Sequence, residues 1–190
     1  SQHDNAVVMM VSDTAKVVDD AVVQVTKAQS VSTGKTGTEI TYTFSYINTG
    51  TAAARLVLRD TLATDLSYKS GSGSWGNGSG SLTDADDVET GANAAIKYKV
   101  SNGQVDIELA SIAALSKGTV SFKVTVNPNA LEKVPNTADY QQYKIDDVNH
   151  TTKLKSTTTN TVIFNVQQTL GVVLNYSSAN ANDDGEPNSG

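Results

Sequence analysis

The chain contains no cysteine, two histidines, one tryptophan and no long apolar run. The missing thiol excludes disulfides, thiolate catalysis, iron–sulfur clusters and the usual structural zinc sites. Two histidines leave little room for a His-rich metal centre or a hydrolytic triad. No stretch nears the ~20 apolar residues of a membrane-spanning helix. The opening residues SQHDN lack the basic and apolar regions of a signal peptide. The chain therefore reads as cytosolic, or as the mature or excised part of an exported protein; its composition favours export. Positive charge is also short. Fourteen Lys+Arg against twenty Asp+Glu give a net charge of −6, which argues against nucleic acid and anionic membrane surfaces as partners. Neither a nucleophile elbow, a phosphate-binding loop nor EF-hand spacing is found, so no catalytic residue is expected.

What is present is a chain of 190 residues, rich in Val and Thr, with hydrophobicity of period two. Ile40, Tyr42, Phe44 and Tyr46 alternate with Thr41, Thr43 and Ser45. The same alternation sets Ile96, Tyr98 and Val100 against two lysines, and Val120, Phe122, Val124 and Val126 against Ser121, Lys123 and Thr125. Further strand-like runs cover residues 17–27, 138–145, 161–166 and 170–176. The one helical hint is residues 111–115. Many strands separated by Gly, Asn, Ser and Asp predict an all-β, Ig-like antiparallel β-sandwich with an N-terminal arm and an extra C-terminal strand and tail. The expected divisions are residues 1–24 as arm, 25–166 as sandwich and 167–190 as strand plus polar tail.

Six consecutive apolar residues lie in the arm: Ala6, Val7, Val8, Met9, Met10 and Val11. A run apolar on both faces needs cover on both faces. It fits a buried strand of the same domain, or a donor strand completing the sheet of a neighbouring copy.

Residues 38–66 read TEITYTFSYINTGTAAARLVLRDTLATDL. The alternating Thr/Tyr strand, then Asn48-Thr49-Gly50, then a strand ending in Asp60-Thr61-Leu62, resembles the conserved-repeat domain of bacterial and archaeal surface proteins (domain of unknown function eleven). Residues 120–126 followed by Pro135-Asn136-Thr137-Ala138 resemble that family's closing signature, and residues 159–174 resemble the junction after it. The likeness spans residues 25–174. Ala63 departs from it, standing where the family usually has proline. The resemblance implies an extracellular Ig-like module of adhesins, surface layers or filaments, and no enzymatic activity. Asn48-Thr49-Gly50 is expected to close a hairpin.

Lys27, Asp60 and Asn136 share the inward parity of their apolar neighbours, which is unusual for polar side chains. The order Lys, acid, Asn resembles fimbrial domains in which a buried lysine and asparagine join spontaneously as an amide beside a carboxylic acid. That chemistry needs a neutral amine and a protonated acid, both favoured by burial. The competing reading puts each residue at a strand end, with Lys27 snorkelling, Asp60 capping and Asn136 bonding backbone.

Asp84, Asp86, Asp87 and Glu89 cluster in one acidic segment, a weak candidate for calcium as against a solvated loop. Trp75 lies in the Gly/Ser-rich stretch 70–81, either folded over the sandwich edge or exposed to contact carbohydrate or protein. Together these features predict a non-enzymatic extracellular protein, a subunit of a cell-surface or matrix filament made of copies of itself joined by strand donation. The alternatives are a stalk module of a large adhesin or surface-layer protein, and a calcium- or carbohydrate-binding module.

Overall fold

The structure, a computed structural model, describes residues 20–85 and 89–168. The apolar run from Ala6 to Val11 and the run at 170–176 lie outside the described residues, as do Asp86 and Asp87. The strands in chain order are β1 (Val23–Gln29), β2 (Thr33–Gly34), β3 (Glu39–Asn48), β4 (Ala54–Thr61), β5 (Leu66–Tyr68), β6 (Ser74–Trp75), β7 (Ile96–Ser101), β8 (Gln104–Ile112), β9 (Lys117–Val126), β10 (Lys133–Asn136), β11 (Ala138–Lys144), β12 (Lys155–Thr158) and β13 (Val162–Val166).

They form the expected antiparallel Ig-like sandwich. One sheet runs β1-β3-β9, with β5 and β6 both paired to the far side of β9; the facing sheet runs β12-β11-β4-β8-β7. A small third sheet, β10-β13-β2, contains a parallel pair, β13 with β2. Alternation places Ile40, Tyr42, Phe44 and Tyr46 of β3 against Val120, Phe122, Val124 and Val126 of β9, all buried. Leu56 and Leu58 of β4, Val105, Ile107 and Leu109 of β8 and Tyr98 of β7 supply the opposite half of the core. Each such side chain contributes about 1.5–3 kcal/mol of burial. The Tyr42 and Phe122 rings meet edge to face at 5.9 Å.

Three expectations change. β3 and β4 belong to different sheets, so Asn48-Thr49-Gly50 carries the chain across the sandwich instead of closing a hairpin. Asn48 is fully buried and organises the crossing. Its Oδ1 accepts the N–H groups of Val22 and Gly50, and its Nδ2 donates to the carbonyls of Ala52 and Ile112. Gly50 is needed because a Cβ there would strike the Asp20 carbonyl and Val22 amide. Second, residues 111–115 form no helix: β8 continues through Ile112, and Leu115 sits at φ 60° in the turn to β9. Third, the first strand among the described residues starts at Val23, two residues before the expected start of the sandwich at residue 25.

Among the described residues β1 is an edge strand, and side chains meet its outer backbone groups at Val23 and Lys27. Val23 N–H donates to Gln142 Oε1 (3.0 Å), Val23 C=O accepts from Lys155 Nζ (2.8 Å), and Lys27 N–H donates to Asn160 Oδ1 (2.8 Å). An open edge is a template for strand addition, and side-chain partners blunt it.

Candidate functional site

Lys27, Asp60 and Asn136 come from three different sheets and converge in the core. Lys27 lies on β1 opposite Phe44 of β3. Asp60 lies on β4, opposite Ala138 of β11 and Val105 of β8. Asn136 closes β10, opposite Val162 of β13. All three follow the inward parity of their strands, and the side chains of Lys27 and Asp60 have no solvent exposure. The roles given by the competing reading are thereby corrected, although Asn136 does stand at a strand end. Lys27 does not snorkel, Asp60 caps no backbone amide, and the Asn136 carboxamide has no backbone partner.

Lys27 Nζ pairs directly with Asp60 Oδ2. The amine is also enclosed by rings, 4.1 Å from the Tyr42 centroid, 4.8 Å from Phe44 and 5.9 Å from Phe122. The Asn136 carboxamide lies against Asp60 closely enough to favour its charged form, yet neither Nδ2 nor Oδ1 has a hydrogen-bond partner of good geometry. Asp60 Oδ1 and the Tyr42 hydroxyl are likewise buried and unpaired. Unsatisfied buried polar atoms are costly, and four of them around one ion pair call for a physical reason.

The electrostatics press the pair towards neutrality. Burial lowers the Lys27 pKa to about 8, against the opposing pull of the Asp60 charge. Burial raises the Asp60 carboxyl above its ordinary range, and the Lys27 charge offsets only part of this. A proton passed from Lys27 to Asp60 yields a neutral amine and a carboxylic acid, both without charge to desolvate. The arrangement thus presents a nucleophile, an acid and an unsolvated carboxamide in an apolar enclosure.

The other candidates fall elsewhere. Asp84 Oδ1 accepts the Tyr68 hydroxyl and Oδ2 accepts Gly71 N–H. Glu89 is buried, its Oε2 taking the N–H and hydroxyl of Thr83. Among the described residues no three His, Asp or Glu side chains group as metal ligands. Trp75 is half-buried against the core, and its indole N–H donates to the Tyr46 hydroxyl at 2.9 Å. His150 stacks on Tyr143 and meets Glu108 at the surface, away from the cluster. The ring enclosure was missed from sequence. Tyr42, Phe44 and Phe122 read only as core alternation, and nothing local marks them as neighbours of an amine.

No family model matches the chain and no curated protein matches it in sequence, so the likeness to the conserved-repeat domain stands on its motifs alone. Solved structures do match in shape. The major pilin subunit BcpA of Bacillus cereus superposes with a TM-score of 0.56 at 11% identity, over 78% of this chain and 41% of the pilin. The N-terminal domain of a Streptococcus gordonii adhesin superposes with a TM-score of 0.50 at 12% identity, over 79% of this chain and 34% of that one. This chain therefore spans about two fifths or less of these neighbours. What it shares with them is the fold, an Ig-like β-sandwich of the kind found in a pilin and an adhesin.

Proposed function

We propose that this protein is a non-enzymatic, extracellular module of a surface pilus or adhesin, and that its sandwich is tied by an intramolecular amide between Lys27 and Asn136. The observation that carries this reading is the buried cluster: an amine paired with an acid beside a carboxamide that has no other partner. The surface-module part of the reading is also supported by the fold shared with a pilin and an adhesin.

The step balances as a transamidation. Neutral Lys27 Nζ attacks Asn136 Cγ while protonated Asp60 hydrogen-bonds the carboxamide oxygen. Collapse of the adduct breaks the Cγ–Nδ2 bond. Asp60 relays a proton from the former amine to Nδ2, which leaves as ammonia. Asp60 ends as it began, and no oxidant or co-reactant is consumed. Mass spectrometry of the intact protein tests this. The expected mass is one ammonia below the sequence sum, with a digest fragment joining the Lys27 and Asn136 peptides. A mass equal to the simple sum overturns the crosslink.

Copies of the chain join end to end through the apolar segments at 6–11 or 170–176. The support for strand donation is the composition of those segments. The side chains along β1 argue for an acceptor edge other than β1. Filament formation by the purified protein, lost on deletion of residues 1–12, is the expected outcome. Assembly that survives this deletion excludes the N-terminal donor.

A further inference from the structure

Asn160 lies in the link between β12 and β13, and its carboxamide grips the backbone of Lys27 by both groups. Oδ1 accepts Lys27 N–H at 2.8 Å, and Nδ2 donates to Lys27 C=O at 2.9 Å. One side chain so does for Lys27 what a residue of a neighbouring strand would do. The flanking residues hold the other reacting segment. Thr159 N–H donates to Ala138 C=O (2.9 Å), and Thr159 Oγ1 accepts Ala138 N–H (3.1 Å). The hydroxyls of Thr161 and Thr137 bond at 2.5 Å, and Val162 pairs with Asn136 itself. Thr159 Oγ1 also donates to the Asn160 carbonyl at 2.9 Å, which ties the two halves of the clamp together.

Four consecutive residues therefore touch both ends of the prospective bond, Lys27 on one side and residues 136–138 on the other. β1 and β10 do not pair with each other. Their relative position depends on this bridge, on a bond from Gln29 Nε2 to Ile163 C=O, and on the packing of side chains between them, but only the bridge holds the Lys27 backbone itself. Amide formation requires the amine nitrogen at near-contact distance from the carboxamide carbon, and a displacement of about 1 Å can cost orders of magnitude in rate.

We infer that Asn160 is a positioning residue for the Lys27–Asn136 amide, setting the backbone of the nucleophile against the strand that bears the acceptor. This rests on the crosslink proposed above. Asn160 touches no reacting atom, and its effect passes through the Lys27 backbone.

The test follows crosslinking in freshly synthesised full-length protein. Samples are stopped in denaturant at intervals and the crosslinked fraction is read by intact mass across a pH series. Asn160→Ala is expected to crosslink about tenfold more slowly or worse at every pH, with the shape of the pH profile unchanged. Asn160→Asp keeps the acceptor for Lys27 N–H and loses the donor, and should fall between. Gln29→Ala is the control. It removes a comparable bond from β1 to β13, Gln29 Nε2 to Ile163 C=O at 2.9 Å, two residues along β1 from Lys27, and leaves the Lys27 backbone untouched. It should react at the wild-type rate. Circular dichroism confirms that each variant is folded. Wild-type protein that never loses ammonia overturns the crosslink and this inference with it. Wild-type protein that crosslinks while Asn160→Ala keeps pace overturns the positioning role alone. So does equal slowing in Gln29→Ala, or a shifted pH profile in Asn160→Ala.

Discussion

Gln142, in the middle of β11 of one sheet, accepts the N–H of Val23, the first residue of β1 in the other, at 3.0 Å. The same carboxamide donates to the Ala21 carbonyl at 2.7 Å. Gln142 is buried, so its polar atoms have little water to fall back on. Gln142→Ala should cost about 1–3 kcal/mol, the usual penalty for leaving a buried backbone donor unpaired. Urea denaturation of the variant against wild type measures it, and a change near zero would mean that water replaces the side chain.

Asp60→Ala should abolish the ammonia loss and leave Lys27 buried with no counter-charge. Removing one partner of a buried pair typically costs about 3–5 kcal/mol. The double variant Lys27→Met, Asp60→Leu should recover most of that loss, because two apolar side chains need no desolvation of charge. Comparing the two by denaturant titration separates the cost of an orphaned charge from the loss of the amide.

Asn136→Ala keeps the Lys27–Asp60 pair and removes the acceptor, so Lys27 stays titratable. Its folded pKa is about 8, below the ordinary 10.5 of the unfolded chain. Between those values the unfolded state binds more protons, so stability rises with pH. The rise should be clearest between about pH 8 and 9.5. Above that range Tyr42 and Tyr98 oppose it, since burial raises both phenols and the unfolded state ionises first. In wild type with Lys27 held as an amide, the rise should be missing. Thermal melts of both proteins over this range are the measurement, and identical curves would contradict the assignment.

Gly118 lies opposite Tyr46 in the β3–β9 ladder, and a Cβ there would run into the Tyr46 ring and hydroxyl. That hydroxyl accepts the indole N–H of Trp75, the only tryptophan in the chain. Gly118→Ala should cost about 1–3 kcal/mol by overpacking and shift the Trp75 emission to the red. Tyr46→Phe should give the emission change with a smaller loss of about 1 kcal/mol. Fluorescence-detected unfolding reports both quantities.

The sandwich was legible wherever a strand was long enough to show its period. β3 and β9 alternate over ten residues each, and parity alone placed Lys27, Asp60 and Asn136 on the inside. Strands of two or three residues, such as β2, β5 and β6, are too short to carry a period, and Pro135 hides β10 as a strand although Asn136 keeps the parity of Ala138 and Tyr140. The misassigned hairpin at Asn48-Thr49-Gly50 has a different cause. Asn and Gly dictate a local turn, and Asn48 does bond the Gly50 amide at 3.0 Å, but local turn chemistry does not choose which sheet the next strand joins. That choice was made by the distant groups Val22 and Ile112, which Asn48 also binds. Asn160 was invisible for the same reason. A polar Thr-Asn-Thr triplet before a strand looks like a loop until β1 is brought beside it.

The three residues of the cluster belong to β1, β4 and β10, one from each sheet. β1 is made first and β10 late, with most of the core between them in sequence. No partly folded chain missing any one of these strands can bring the amine, the acid and the carboxamide together. The proposed amide would therefore act as a clock set to the end of folding. It would leave every earlier intermediate free to reverse, and make permanent only a chain in which β1 and β10 have both found their places.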